Sequence, residues 1–277
     1  MPVRIVTDSA ADLPSELAAA RGIEVVPLTI RFGDTTYRSG VDLSAGEFWD
    51  KLRSSTESPA TAAPSPGDFE SVYRKLAEDG ADGIVSVHLS AKLSATSQSA
   101  TIAARSTDLP VEVVDSLSVS ASTALMALRA ADLADGGATM AEIANELKSM
   151  VDRTQLYGVI DTLDYLRRGG RIGGAQALLG TMLQVKPVIS VVDGVVEPVG
   201  KVRTRTRALQ HLATIVNDNA SSIERLIVMD GEAPDLDQFL GMLRGIEVPR
   251  EDIWSLGPVV GTHAGPGVVG AVFTTSA

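Results

Sequence analysis

No cysteine occurs anywhere in the 277 residues. Its absence removes disulfides, thiolate nucleophiles and thiolate-ligated metals at once. Histidine is almost as scarce: His88, His211 and His263 stand far apart with no HExxH spacing, so no dedicated metal site is expected. Aromatic residues make up 4% of the chain, so the core must be built from Ala, Val, Leu and Ile. Basic residues are outnumbered, 24 against 35 acids, and the net charge of −11 argues against general nucleic-acid affinity. No basic stretch followed by an apolar one opens the chain, so no signal peptide is expected. Residues 253–277 carry no Lys, Arg, Asp or Glu and are numerous enough to span a bilayer. Their five glycines, two prolines and His263 point instead to buried strands and a turn. What remains is an acidic, cytoplasmic protein of a reducing compartment with no stable membrane insertion.

What is present is enough apolar surface for a core, at 44% hydrophobic and 21% charged residues. The length corresponds to about two domains. Strand and helix signals alternate, an α/β pattern. Apolar runs at residues 3–7, 83–89 and 111–114 read as buried strands, and residues 25–32 and 35–38 flank Gly33-Asp34 as a hairpin. Ser44 with Glu47 and Thr139 with Glu142 form capping boxes, and Ser65 precedes Pro66 as an N-cap before the residue best suited to a first helical turn. From about Gln155 the texture changes. Asp193-Gly194 lies between two Val-rich runs, a type I′ hairpin signal, and residues 225–229 and 252–256 add strands around a helix. The boundary expected from this change divides the chain into residues 1–155 and 156–277.

Three of the early strands end in hydroxyl-rich loops: Thr7-Asp8-Ser9, residues 90–96, and Asp115-Ser116. In an open parallel sheet, ligands bind outside the carboxyl ends of the strands, so these loops are candidates to meet at one site. The alternative is that Ser, Thr and Asp simply cap the helices that follow. A second concentration is electrostatic. Eight Lys/Arg and two acids fall between Arg167 and Arg207, a local charge of +6 in an acidic chain. Lys201, Arg203, Arg205 and Arg207 would share one face of an extended segment. Either they dock an anionic partner or a phosphate, or they are a solvated face.

Other patterns fail on inspection. Gly265-Pro266-Gly267-Val268-Val269-Gly270 fits G-x-G-x-x-G, but the chain ends seven residues later, with no room for the helix and acid that dinucleotide binding requires. Gly194 to Gly200-Lys201 has the wrong spacing for a P-loop and Val202 where magnesium needs a hydroxyl. Ser94 and His263, with Asp8 or Asp115, could form a hydrolytic triad, although no G-x-S-x-G elbow is present.

Several stretches occur in order along almost the whole chain: Ile5-Val6-Thr7-Asp8-Ser9 with Asp12-Leu13; Thr61-Ala62-Ala63-Pro64-Ser65-Pro66 with Phe69; Leu89-Ser90-Ala91-Lys92-Leu93-Ser94-Ala95-Thr96; Leu163-Asp164-Tyr165-Leu166-Arg167-Arg168-Gly169-Gly170-Arg171-Ile172; and Gly257-Pro258-Val259-Val260-Gly261-Thr262-His263-Ala264-Gly265-Pro266-Gly267. Together they resemble the DegV family of bacterial fatty-acid-binding proteins. The resemblance implies an N-terminal three-layer α/β domain with a mostly parallel sheet, a C-terminal two-layer domain with a mixed sheet, and a fatty acid such as palmitate between them. It implies that Thr61 and Ser94 hold the carboxylate with His263 close by, and that no further cofactor is needed. It also implies a partner, the catalytic subunit of a fatty acid kinase, which forms an acyl phosphate on the presented lipid. Arg171, Lys201, Arg203, Arg205 and Arg207 are then the candidate docking residues. Ala95, where the family usually has Gly, and Ser97, where it often has an aromatic, bear on chain preference.

The residues themselves fit such a role. Thr61, Ser94 and His263 can each donate a hydrogen bond to a carboxylate. Burying about 14 methylenes at about 0.8 kcal/mol each offers roughly 11 kcal/mol before ordering costs, so affinity would come from the tail. A neutral hydroxyl cradle, with no cationic clamp, would leave the carboxylate nucleophilic. The expected function is therefore a lipid-binding subunit rather than an enzyme. A small-molecule hydrolase using Ser94 and His263 and an interaction protein without a ligand are the alternatives.

Overall fold

Strands and helices alternate in the structure because period-two apolar runs and amphipathic stretches of period 3.6 alternate in the sequence. The computed structural model describes residues 2–179 and 186–276. In chain order the strands are β1 (Val3–Asp8), β2 (Ile23–Val26), β3 (Thr29–Phe32), β4 (Thr35–Arg38), β5 (Ala60–Ala62), β6 (Gly83–His88), β7 (Val111–Asp115), β8 (Thr154–Val159), β9 (Lys186–Val192), β10 (Val195–Val202), β11 (Ile223–Gly231), β12 (Ile253–Ser255) and β13 (Val268–Thr275). The helices are α1 (Ser15–Ala20), α2 (Ala45–Ser54), α3 (Pro66–Glu78), α4 (Thr96–Ala104), α5 (Ala121–Asp135), α6 (Met140–Arg153), α7 (Asp164–Arg168), α8 (Arg205–Asp218), α9 (Leu236–Leu240) and α10 (Pro258–Ala264). The capping boxes at Ser44 and Thr139 form and start α2 and α6, and the N-cap at Ser65 starts α3, where Asp68 completes a further capping box.

Two sheets organise the molecule. A four-stranded sheet has the order β2-β1-β6-β7, all parallel. A six-stranded mixed sheet has the order β10-β9-β8-β13-β11-β12. On one face of the parallel sheet, Phe69, Tyr73 and Leu76 of α3 and Ala100 and Ala103 of α4 bury against Val6, Val26 and Ile84. On its other face, Leu125 and Leu128 of α5 and Ile143 and Leu147 of α6 fill the space to Ile227, Met229 and Val272 of the mixed sheet. Leu209, Leu212 and Val216 of α8, with Phe239 of α9, cover the outer face of the mixed sheet. The expected three-layer and two-layer arrangement is thus present as one stack, with α5 and α6 in the middle. A small antiparallel sheet, β4-β3-β5, sits beside it and carries Thr61. The Asp193-Gly194 turn has positive φ at both positions (49° and 80°), as a type I′ hairpin requires.

Three expectations are corrected. Residues 25–32 are not one strand. The chain leaves β2 before Pro27, which cannot donate to a ladder, and enters β3 in a different sheet. Residues 253–277 are not only strands and a turn, because α10 lies within them. Its residues show no polar face because most of the helix is buried, so no amphipathic period marks it. Lys201, Arg203, Arg205 and Arg207 do not share an extended face. Strand β10 ends at Val202, and Thr204 caps α8, whose first turn contains Arg205 and Arg207. The G-x-G-x-x-G match follows helix α10 and runs into strand β13, the reverse of the dinucleotide-binding order.

Helix α10 is pinned by aromatic packing. Phe48 and Trp49 of α2 are fully buried, and a Cβ on Gly261 would lie 2.7 Å and 2.8 Å from their ring atoms. Helix propensity favours Ala over Gly by about 1 kcal/mol, but overpacking against two immobile rings costs about 1–3 kcal/mol. Gly261→Ala is therefore expected to lower stability in urea denaturation; an unchanged or raised midpoint would contradict this packing.

Candidate ligand-binding site

The inner face of the mixed sheet and the helices against it do not meet everywhere. Between them lies a cavity of about 230 Å³. Its floor comes from alternate, inward-pointing positions: Leu156, Gly158 and Ile160 along β8 and beyond, and Val268, Gly270 and Val272 along β13. Leu89, Leu93, Val119, Val259 and Val260 supply other walls, so the lining is overwhelmingly aliphatic. A second cavity of about 210 Å³, lined among others by Ser58, Tyr165 and Arg168, adjoins it. The two share Thr61, Arg171 and His263. The apolar cavity therefore ends at a polar cluster, and a more polar mouth continues outward from it.

The cluster is assembled from four distant parts of the chain. Thr61 comes from β5 and His263 from the last turn of α10, and Thr61 Oγ1 lies 2.9 Å from His263 Nε2. His263 Nδ1 is buried without a hydrogen-bond partner. It lies against Gly169, where a Cβ would fall 2.0 Å from that nitrogen, so only glycine fits there. Burial, and then the neighbouring Arg171 cation, hold the His263 imidazole down to about 4. The ring is thus neutral at pH 7. An orphan acceptor costs less than an orphan donor, so the single ring proton belongs on Nε2, where it is donated to Thr61. That arrangement frees the Thr61 hydroxyl hydrogen for a ligand.

Arg171 is fastened by backbone. Its Nε donates to Leu93 O at 3.0 Å and its Nη1 to Gly169 O at 2.5 Å. Ser94 follows Leu93 in the loop after β6; its Oγ pairs with Thr96 Oγ1 at 2.8 Å and lines the apolar cavity. Thr61, Ser94 and His263 thus all line one cavity. Arg171, expected on a docking surface, lines the cavity as well. The polar end of the cavity is therefore not a purely neutral cradle: it contains a guanidinium.

The remaining candidates lie elsewhere. Lys201, Arg203 and Arg207 are exposed and line neither cavity. Arg205 is engaged within the chain, with Nε and Nη2 on the Asp235 carboxylate at 2.9 Å and 3.0 Å and a further bond to Gly267 O. Of the three hydroxyl-rich loops, only residues 90–96 reach the apolar cavity. Asp8 instead accepts from the amides of Ala10 and Leu89, and its Oδ2 lies 2.9 Å from His88 Nδ1. His88 Nε2 in turn lies 2.7 Å from Ser86 Oγ, which accepts from the Tyr73 hydroxyl. This fully buried relay ties β1 to β6 and α3. Ser94 has no hydrogen bond to His263, and no carboxylate partners His263 Nδ1, so the imagined triad is not assembled. Among the described residues no helix is long and apolar enough to cross a membrane, and no group of three or more His, Asp or Glu could hold a metal.

Comparison with known proteins follows the same outline. A family model described as "Uncharacterised protein, DegV family" matches residues 2–276. A DegV domain-containing protein of Streptomyces coelicolor is 39% identical over 279 residues, covering 99% of this chain and 98% of the relative. Among solved structures, a fatty-acid-binding DegV family protein from Thermus thermophilus is 34% identical with a TM-score of 0.89, covering 100% of both chains. DegV from Bacillus subtilis, a fatty acid binding protein, is 30% identical with a TM-score of 0.88 at the same coverage.

One carboxyl group beside the cavity escaped sequence reasoning. Asp12 accepts from Ser120 Oγ at 2.6 Å and from the Gly257 amide, at the start of α10, at 3.1 Å. Ser120 precedes α5 and lines the cavity, so Asp12 joins three segments that shape it. Asp12 and Ser120 both have positive φ (53° and 58°), a strained backbone that these bonds hold in place. Burial pushes the Asp12 carboxyl up to about 7, against the hydrogen bonds from Ser120 and Gly257, with the Asp8 charge adding to the rise. An acid with a raised native value favours the fold below its unfolded value of 3.8, and that contribution is lost as pH rises through about 7. Asp12→Asn abolishes the titration. Its stability relative to wild type is therefore expected to improve between pH 5 and pH 8, by on the order of 2–4 kcal/mol. Parallel urea midpoints for the two proteins across that range would refute the assignment.

Proposed function

Because the chain belongs to the DegV family, we propose that it binds a long-chain fatty acid, with the acyl tail in the aliphatic cavity and the carboxylate at Thr61, Ser94, His263 and Arg171. The observation that carries this reading is an aliphatic cavity ending at a polar cluster shared with an outward mouth. Fatty-acid binding by the relatives from Thermus thermophilus and Bacillus subtilis supports it. The tail supplies the affinity through apolar burial. Thr61 and Ser94 offer hydroxyl donors, and Arg171 contributes charge. His263 positions Thr61 through its Nε2 proton and does not act as a base.

The finer part of the proposal is presentation to a separate kinase. The second cavity, lined by Arg168 and Arg171, gives a phosphoryl donor a route to the carboxylate. The carboxylate oxygen would attack the γ-phosphorus of ATP held by the kinase, forming the acyl phosphate and releasing ADP. Exposed Lys201, Arg203 and Arg207 provide positive charge for steering an acidic partner. A hydrolase is not favoured, since His263 faces Thr61 and lacks a carboxylate behind it.

Solvent extraction and mass spectrometry of the purified protein should release fatty acid at about one per chain. Ser94→Ala removes a charge-assisted bond of about 1.5–3 kcal/mol and should weaken binding by tenfold or more with little change in melting. An unchanged dissociation constant in the folded variant would remove Ser94 from the site. Reversing Lys201, Arg203 and Arg207 together to Glu should slow association with the kinase subunit and flatten its salt dependence, leaving fatty-acid affinity unchanged. Normal kinase binding by that variant would assign the three residues to a solvated face.

A further inference from the structure

The cavity floor has a bare rung. Gly158 of β8 and Gly270 of β13 are directly paired across the two central strands of the mixed sheet. On the same rung Gly158 pairs with Ile189 of β9, and Gly270 pairs with Met229 of β11. All four residues line the cavity. The rung therefore reads Ile189, Gly158, Gly270, Met229: two long side chains flanking two absent ones. Strands lie about 4.8 Å apart, so the gap is a trough two strands wide with Ile189 and Met229 as walls.

The trough opens onto empty space. A Cβ placed on Gly158 meets only Ile189 Cγ1, at 3.9 Å, which is ordinary contact. Neither glycine has the positive φ that would explain its presence by backbone conformation. Glycine in a central strand is otherwise unfavourable, because it packs nothing and costs entropy. At Gly270 a Cβ would lie 3.0 Å from Met229 Cβ, so the close approach of that side chain already accounts for glycine there. Gly158 has no such neighbour, and its presence is explained by the volume it leaves.

The position of the rung along the cavity gives it a meaning. One step towards the polar mouth stand Ile160 and Val268, next to the segments that lead to α7 and from α10. One step away stand Leu156 and Val272, themselves paired. Same-face steps are about 7 Å apart. A chain anchored by its carboxylate must pass the glycine rung to reach the far end.

We propose that the Gly158–Gly270 pair sets the acyl length this protein accepts, by leaving the floor open for the distal part of a long chain. The inference rests on the fatty-acid reading above. It concerns the tail alone and leaves the head-group residues untouched.

The test uses the purified full chain incubated with equimolar laurate and palmitate, repurified, extracted and quantified by mass spectrometry. Gly158→Val places a β-branched side chain, well suited to a strand, in the trough. It is expected to lower the palmitate-to-laurate ratio by tenfold or more while total bound acid stays near one per chain. Gly158→Ala adds one methyl group in open space and should shift the ratio the same way by about threefold, which keeps the test decisive should the larger variant not fold. A folded variant with the wild-type ratio, or with both acids lost equally, overturns the inference and leaves the fatty-acid reading standing. A wild type that retains neither acid overturns that reading, and this inference with it.

Discussion

An aliphatic hollow of about 230 Å³ inside a folded chain is a standing invitation to collapse, and much of the surrounding architecture resists it. Empty, a void of that size costs on the order of 5 kcal/mol at about 24 cal/mol per Å³. Side chains can relax inward only if their backbone moves. Here the floor is a sheet whose strands are fixed on both sides by ladder hydrogen bonds, with β8 and β13 at its centre. Opposite it, α10 cannot slide, because Gly261 is already in tight contact with Phe48 and Trp49. The start of α10 is fixed as well, through the bond between Gly257 and Asp12. Rigid supports on both sides keep the space open, and a ligand that fills it recovers the lost contacts.

The polar end follows from the same geometry. Groups at the polar end of an aliphatic cavity are partly desolvated, and each charge there needs a fixed partner. His263 meets this condition by staying neutral, since burial and Arg171 both disfavour its proton. Arg171 meets it by donating to two backbone carbonyls. Asp12 lies outside that cluster and is held differently: its carboxyl accepts hydrogen bonds at the entrance to two helices, where partial positive charge favours an anion, yet burial still raises its proton affinity.

Local features were the legible ones. The capping boxes at Ser44 and Thr139, the N-cap at Ser65 and the turn at Asp193-Gly194 each depend on residues within a few positions, and each formed where expected. Helix α10 was not legible, because a helix buried among aliphatic groups needs no polar stripe. Arg205 read as one of an alternating row, yet the cap at Thr204 placed it in a helix and Asp235 took its charge. Thr61, Ser94 and His263 were found through a family resemblance, not through spacing. Asp12, whose partners stand 108 and 245 residues away, gave no local sign. Gly158 and Gly270 looked like ordinary strand glycines until their register placed them opposite each other.

Arg171 connects these themes. Its bond to Leu93 O reaches the loop that follows the parallel sheet, and its bond to Gly169 O holds the turn packed against His263. A single side chain thus spans from the half of the molecule that supplies Ser94 to the half that supplies His263. A guanidinium held by two carbonyls is a fixed charge and not a mobile clamp. It contributes positive potential where a carboxylate would sit without having to swing towards it, so little conformational entropy is lost on binding. The same charge adds to the burial that keeps His263 neutral, and the neutral ring donates its Nε2 hydrogen to Thr61. The positive potential at the polar end and part of the bias against a second proton on His263 in this way follow from one side chain's position.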